Sequence, residues 1–185
     1  MNPVETAVRH WLDTIVIGLN LCPFAARPVH GGQLRICVSE ARSELDLLTE
    51  LQLELVRLDE TPVAELETTL IVVPQMLADF ADYNDFLEPV DALLVQFEWT
   101  GEYQVASFHP HYQFADTQPD DADNLTNRAP YPLLHLLRED SVAAAIDSYP
   151  DAAGIPLANI RRMRALSVEQ RRALFAYLPD PTMKR

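Results

Sequence analysis

The chain of 185 residues is 48% hydrophobic, which is ample for one packed domain. It has only five glycines, and neither G-x-G-x-x-G nor G-x-x-x-x-G-K-[ST] occurs, so the common glycine-rich nucleotide-binding motifs are excluded. The net charge of −14 disfavours broad binding to nucleic acid, because an acidic surface repels phosphate groups.

The charge is unevenly distributed along the chain. Residues 155–185 contain seven basic and two acidic side chains, so this stretch is basic while the rest of the chain is strongly acidic. We expect this basic tail to pack against the acidic part of its own chain or of a neighbouring copy, in preference to an anionic partner. The expected oligomeric state is a monomer or a homodimer.

The first twenty residues do not resemble a secretory signal, because they lack a basic start and their apolar residues are periodic rather than continuous. No run in the sequence approaches the roughly 18 consecutive apolar residues of a membrane span. We therefore expect a cytoplasmic protein that does not bind membranes. Its two cysteines, Cys22 and Cys37, are then expected to be reduced thiols.

The first half of the chain begins with a well-marked helix. Asn2 is a suitable N-cap, Pro3 suits the first helical position, and an apolar face continues to about Asn20. A loop then leads to a predicted strand over 33–39. A long amphipathic helix follows over 40–60, and the residues predicted for its core side are Leu45, Leu48, Leu51, Leu55 and Leu58.

The second half is predicted to contain two further strands. Residues 67–74 contain a continuous apolar stretch with β-branched residues, which is typical of a strand buried on both faces. Residues 79–99 are predicted to be a helix bent at Pro89, in preference to a hairpin at residues 99–101. Residues 102–108 form the third strand, and 109–131 are irregular. Helices are predicted over 132–149, 157–166 and 167–178, the last beginning with a capping box of Ser167 and Gln170.

Strands that alternate with helices predict an α/β fold with a small, mostly parallel three-stranded sheet, although a mixed α+β sheet is a second interpretation. We expect an α/β core over residues 1–150 and a basic helical extension over 151–185. In open parallel sheets, ligands bind at the carboxyl ends of the strands. The loop over 109–117 follows one such end and is the richest in polar and aromatic side chains.

His109 is the leading catalytic candidate, as a general acid or base. It follows the third predicted strand, and Pro110 then ends the backbone pairing because proline has no N–H. A structural, hydrogen-bonded histidine is the main alternative. His109 and His111 could also contribute to a metal site, but two ligands do not make one, and the third would have to be Cys22, His30 or a carboxylate.

Cys22 is a candidate nucleophile. If Pro23 opens a short turn, Cys22 caps it, and the N-terminus of that turn would favour the thiolate. A free cysteine is more often a small buried hydrophobic residue, which is the alternative interpretation. Cys37 lies within a predicted strand and is assigned to the core.

Arg128 and Asn127 lie in a rigid Asn- and Pro-containing segment and are candidate ligand-binding residues. Arginine in such a segment can clamp a carboxylate or phosphate, so a small anion is the candidate partner, and an exposed salt bridge is the alternative. His135 lies in an apolar stretch predicted to be helical, where Glu139 at i+4 could pair with it. A buried structural histidine is favoured there.

Three stretches together, "GLNLCPFA", "FHPHYQFADT" and "DDADNLTNRAPYPLLHLLRE", resemble a bacterial family known only as domain of unknown function 1415. The resemblance covers about residues 5–145 and does not carry the chain beyond about 150. It implies no particular activity and no cofactor. Among the candidate residues it places in the family motifs are Cys22, His109, Tyr112, Gln113, Asn127, Arg128 and His135.

These observations support two hypotheses about function. The first is a small-molecule enzyme with a loop-built site, in which His109 is the acid or base, Cys22 a nucleophile and Arg128 an anion clamp. Asn127, Tyr112, Gln113 and His135 are its expected ligand-binding residues. The second is a non-catalytic ligand-binding or assembly protein.

Overall fold

The structure is a computed structural model, and it describes residues 2–178. The strands are β1 (Leu34–Val38), β2 (Thr68–Val72), β3 (Tyr103–Phe108) and β4 (Leu133–Arg138). The α-helices are α1 (Pro3–Trp11), α2 (Ala26–His30), α3 (Glu44–Glu60), α4 (Phe80–Gln96), α5 (Glu139–Ser148), α6 (Ile155–Ala165) and α7 (Val168–Leu174). A π-helix (Leu12–Ile17) extends α1, and 3₁₀-helices cover Ala122–Asn127 and Ala152–Gly154.

The four strands form one mixed sheet in the order β1-β2-β4-β3. β1 and β2 pair in parallel, and β4 pairs antiparallel with both β2 and β3. β1, β2 and β3 therefore run in one direction, as predicted, but β4 separates β2 from β3. The mixed α/β class is confirmed, whereas the prediction of a mostly parallel three-stranded sheet is wrong, because the sheet has four strands and two of its three strand pairs are antiparallel.

β4 comes from a segment that the sequence predicted to be helical. A short apolar run looks the same in a buried strand and in a buried helix, because neither shows a polar face. In the structure this run lies between two strands, and Leu133, Leu134 and Leu136 are fully buried. His135 is therefore a strand residue, and its side chain points to the face opposite those of Leu134 and Leu136.

The first helix begins as predicted. The side chain of Asn2 accepts a hydrogen bond of 2.9 Å from the Val4 N–H. Glu5 pairs with Arg9 at 2.9 Å. The helix widens into the π-helix over its second half, and Asn20, with φ of +50°, ends the segment at the predicted position.

Helices cover both faces of the sheet. On one face, α3 and α4 pack against β2 and β4 through residues such as Leu51, Leu55, Phe86, Ile71 and Leu134. On the other face, a second cluster joins α1, the π-helix and the C-terminal helices to the same strands through residues such as Trp11, Ile15, Leu70, Leu133, Met163 and Phe175. β2 is buried along its whole length, as predicted for a central strand.

The two long helices are present as predicted, but the bounds of both helices and the core face of α3 differ from the prediction. α3 begins at Glu44 with Ser43 as its N-cap, and its buried leucines are Leu47, Leu51, Leu55 and Leu58. Leu45 is 74% exposed, so its assignment to the core is wrong, because it lies in the first turn and faces away from the sheet. α4 contains Pro89, and the helical interpretation of this region is confirmed over the hairpin.

The C-terminal helices pack on the acidic part of the same chain. Arg164 of α6 forms a bidentate ion pair of 2.7 Å with Asp123. Ser167 and Gln170 form the predicted capping box at α7. Asp180, Lys184 and Arg185 of the basic tail lie outside the described residues. Within residues 2–178, none of the helices combines the length and the apolar character needed to cross a bilayer.

Arg138, the last residue of β4, ties three parts of the chain together. Its guanidinium donates to the backbone carbonyls of Leu58, Thr61 and Leu66, which end α3 and lead into β2. It also donates to the hydroxyl of Tyr103 and lies 5.8 Å from the centre of that ring. A single charged group thus satisfies the Leu58 carbonyl in the last turn of α3 and two carbonyls of the segment that leads into β2.

We expect Arg138→Met to lower the free energy of unfolding by about 2–4 kcal/mol, because several carbonyls lose a charged donor at once. Urea unfolding followed by circular dichroism measures the change. Arg9→Met is the control, since Arg9 makes an exposed i,i+4 pair with Glu5, and its loss should cost under about 1 kcal/mol. Equal losses in the two variants would contradict the anchoring role of Arg138.

Candidate functional site

His109 is completely buried at the end of β3. Its Nδ1 accepts from the His111 N–H at 2.9 Å, which places the ring hydrogen on Nε2, where it donates to the Leu77 carbonyl at 3.0 Å. Burial lowers the pKa of the imidazole, so the ring is held in the neutral form. Both nitrogens are engaged by backbone, and this geometry favours the structural role among the alternatives for His109.

Arg128 holds the loop that follows β3. Its Nε donates to the Tyr112 carbonyl at 3.2 Å, and Nη2 donates to the Pro119 carbonyl at 2.6 Å. Its own carbonyl accepts from the Trp11 indole N–H at 3.1 Å. Burial lowers the pKa of the guanidinium. Two of its donors are thus committed to the backbone of the loop, and neither points into a cavity.

The other predicted loop residues are also engaged locally. Asn127 donates to the Ser107 carbonyl at 3.3 Å, and Gln113 donates to the Thr117 carbonyl at 2.7 Å. The ring of Tyr112 packs between Phe80 and Phe114, with ring centres 5.1 and 4.9 Å away. These residues therefore maintain the shape of the 109–128 loop.

Asn124, which the sequence analysis did not select, organises the same loop. It is fully buried, and its side-chain oxygen accepts from the Phe114 N–H and the Thr117 hydroxyl, at 3.0 and 2.9 Å. Its amide donates to the Gln118 carbonyl at 2.7 Å. Nothing in the local sequence separates this asparagine from its polar neighbours, because its role depends on contacts across the loop.

A cavity of about 280 Å³ lies on the sheet face that carries α1 and the π-helix. Its floor is formed by β2, β3 and β4, and α5 lies over it through Ser141, Val142 and Ala145. Trp11, Phe24 and Phe108 provide aromatic walls. The lining is almost wholly apolar, which is typical of small-molecule sites in which a few polar groups set the orientation.

His135 is the polar group at the centre of this floor. Its Nε2 lies 2.8 Å from the hydroxyl oxygen of Thr68, and that hydroxyl donates to the Leu136 carbonyl at 2.6 Å. Glu139, the partner expected from a helix, is not its contact. Burial lowers the pKa of His135 to about 4, so the imidazole is neutral at pH 7. Thr68 was not selected from the sequence either.

Cys22 borders the same cavity. It also borders a second cavity of about 520 Å³, which Asn127 and Asn159 line. Burial raises the pKa of the thiol more than nearby backbone N–H groups lower it, which disfavours the thiolate. Cys37 packs on the opposite face of the sheet, and burial raises the pKa of that thiol too.

An ion pair lies beside the cavity. Glu67 precedes β2 and borders the cavity, and both of its carboxylate oxygens accept from Arg27 of α2 at 2.7 Å. Arg138 also borders the cavity, but its two terminal nitrogens are occupied with Tyr103 and backbone carbonyls, and its Nε is buried without a partner. Gln104 and Ser141 are uncharged polar residues of the lining.

The structure divides the predicted site residues between two places. Cys22 and His135 line the sheet cavity, whereas Asn127 lines the second cavity together with Cys22. His109 is bonded to the Asn127 backbone at 3.2 Å but lines neither cavity. Within residues 2–178, no group of three or more His, Cys, Asp or Glu side chains is arranged to hold a metal ion, and His111 is exposed.

Comparison with known proteins gives one match. No curated protein and no solved structure matches the chain. A family model described as "Protein of unknown function (DUF1415)" matches residues 3–173. The match extends through α6 and nearly all of α7, and so includes helices that the three sequence motifs did not reach. The chain therefore belongs to the DUF1415 family of proteins of unknown function.

Proposed function

We propose that the protein binds a small, largely apolar molecule in the sheet cavity and that His135 orients it. The observation that carries this proposal is the placement of a neutral imidazole, with one nitrogen free of protein contacts among the described residues, in an apolar cavity. His135 is partly buried, and its Nδ1 is not enclosed by protein, so it can accept a hydrogen bond from a molecule in the cavity. An unpaired ring nitrogen beside empty volume therefore marks a position for a ligand atom.

Size and shape support the same proposal. The cavity volume of about 280 Å³ is near the lower end of the range for small-molecule sites. Apolar cavities of about half this volume bind benzene-sized molecules in other proteins. Water is a poor occupant of such a cavity, because it needs two to four polar partners.

A site built in the 109–128 loop receives less support. His109 has both ring nitrogens bonded to backbone, and Arg128 directs two of its donors to carbonyls of the loop. An acid or base and an anion clamp both need free donors or acceptors that face a substrate. We therefore infer that His109 and Arg128 stabilise the loop and that His135 is the ligand-binding residue.

An enzyme that uses the same cavity is the second candidate. Cys22 and His135 line one cavity, and the imidazole is unprotonated at pH 7. Its low pKa makes it a weak base for the Cys22 thiol, whose own pKa is raised by burial, and for this reason the enzyme is the second candidate. Nδ1 of His135 would take the proton of the Cys22 thiol and so produce the nucleophilic thiolate. A cytoplasmic setting, which the proposal includes, keeps this thiol reduced.

The enzyme candidate requires that His135→Gln slows the reaction of Cys22 with N-ethylmaleimide about tenfold or more, because the thiol loses its base. Peptide mass spectrometry over a time course gives the rate constant at each cysteine. Cys37 is an internal control in every sample, since it packs on the other face of the sheet. An unchanged ratio of the two rates would remove Cys22 and His135 as a catalytic pair.

The binding proposal predicts that Ala145→Leu abolishes binding of 4-fluorotoluene, a neutral apolar probe, because the larger side chain fills the cavity. Ala145 lines the cavity from α5, whereas the preceding Ala144 is exposed. Ala144→Leu is therefore the matched control and should leave the affinity unchanged. Binding is measured by ¹⁹F NMR line broadening. Undiminished binding to Ala145→Leu would place the probe elsewhere.

The neutral state of His135 predicts a pH dependence of stability. Its pKa is about 4 when folded, whereas an imidazole in the unfolded chain titrates near 6.5. As the pH falls from about 6.5 to about 4, the unfolded state binds the proton and the folded state does not, so the free energy of unfolding decreases. Above that window His135 contributes no pH dependence.

The decrease due to His135 should reach at most about 3 kcal/mol across this window. Urea unfolding of the wild type and of His135→Gln at several pH values between 4 and 7 measures it. Carboxylates titrate equally in both proteins and cancel in the difference between them. A difference in stability that is constant across the window would show that His135 is not held neutral by the fold.

A further inference from the structure

We infer that the sheet cavity selects a neutral aromatic ring bearing a hydroxyl, a phenol, whose O–H donates to Nδ1 of His135. This inference rests on the proposed function, since it names the class of ligand for the same cavity. It follows from the hydrogen-bond direction at Thr68, the charges around the cavity and the aromatic walls.

The hydrogen-bond direction at Thr68 determines which nitrogen of His135 is free. A threonine hydroxyl has one hydrogen, and that hydrogen is directed to the Leu136 carbonyl, which can only accept. The Thr68 oxygen must then accept from Nε2–H of His135 at 2.8 Å. Nδ1 is left with a lone pair, so the ligand atom that meets it must be a donor.

The charges around the cavity favour a neutral ligand. Glu67 borders the cavity as a carboxylate and already occupies Arg27, so this cation is not available to an anion. Arg138, the other arginine of the lining, is directed to Tyr103 and to backbone carbonyls. The Nε of Arg138 has no partner either, but it is enclosed by protein and out of reach of a ligand. An anion would therefore be desolvated in the cavity without a direct bond to a charged donor of the described lining, which is costly. The inferred ligand is therefore neutral, whereas the sequence analysis predicted a small anion.

The walls next to His135 favour a flat ring. Phe108 lies 6.3 Å from the ring centre of His135, and Trp11 meets Phe108 edge to face at 5.4 Å. Aromatic side chains prefer such offset or edge-on contacts with a further ring. Across the sheet, Ala106 is the direct neighbour of His135 and leaves space above the strand for that ring. A hydroxyl on the ring is then the smallest donor that can reach Nδ1.

The test compares 4-fluorophenol with 4-fluorotoluene, which has a methyl group in place of the hydroxyl, and with 4-fluorobenzoate, which is an anion. Binding to the full chain is measured by ¹⁹F NMR titration. We expect 4-fluorophenol to bind about tenfold more tightly than 4-fluorotoluene, the usual effect of one net hydrogen bond. We expect no binding of 4-fluorobenzoate at the same concentrations.

Two variants separate the hydrogen bond from the cavity. His135→Phe keeps a ring in place but removes the acceptor, so 4-fluorophenol and 4-fluorotoluene should bind this variant equally. Ala145→Leu should bind neither. In ¹⁵N-labelled wild type, Nε2 should carry the ring hydrogen of His135, and the Nδ1 resonance should shift when 4-fluorophenol is added. This measurement decides the question even if His135→Phe does not fold.

The outcomes distinguish this inference from the proposed function. Equal binding of the two neutral probes to the wild type, or a ring hydrogen found on Nδ1, would overturn the phenol assignment and leave the cavity as a binding site. Tighter binding of 4-fluorobenzoate would overturn the requirement for a neutral ligand. If neither neutral probe bound the wild type, the proposed function itself would fail.

Discussion

The antiparallel pairing of β4 with its two neighbours is the constraint on which the candidate site depends. It aligns Leu70, His135 and Ala106 in one row across the sheet. Because Ala106 is small, the row leaves volume over β3, and Thr68 lies close enough to bond the imidazole. A slip of one residue would turn His135 to the face packed by α3 and α4. There its ring would meet leucines, without a polar partner.

The 109–128 loop shows that a concentration of polar and aromatic residues does not by itself identify a site. Several of its polar side chains are bonded to the backbone of the loop or of neighbouring segments. His109 fixes residues 77 and 111, Arg128 fixes residues 112 and 119, and Asn124 joins 114 to 118. An irregular segment of this length needs such bonds, because it has no regular backbone pairing of its own. These residues are explained by the structure of the loop.

The sequence predicted the three parallel strands, the first helix with its cap, and the C-terminal helices, because each carries a local signal. Periodic apolar residues, Asn2 and the capping box of Ser167 act over a few neighbours. β4 could not be predicted in this way, since its identity as a strand depends on pairing with β2 and β3. His135 was then assigned to a helix, where Glu139 was its expected partner.

Because β4 was predicted to be a helix, the sequence analysis placed the candidate site at His109 and not at His135. The alternation of side chains along the third predicted strand selected His109. Alternation shows on which face of the sheet a side chain lies, but not which residues bury its ring. The environment of His135 comes from Thr68, which is 67 residues earlier, and from α1 and the π-helix near the start of the chain. A histidine inside an apolar run gives no local indication of a cavity. The contrast between a satisfied imidazole and an unsatisfied one appears only when the hydrogen bonds are assigned.

We expect a ligand to enter the proposed cavity beneath α5, without a change in the sheet. The N-terminal end of α5 is held in place by the preceding residue, Arg138, which is bonded to three carbonyls. None of the residues of α5 is buried. Its far end is held by an edge-on contact between Tyr149 and Phe24 at 5.5 Å. A segment with so few buried contacts opens at a lower free energy than the whole domain. A ligand beneath α5 would add contacts to Val142 and Ala145. We therefore expect a bound ligand to raise the free energy needed to open this helix.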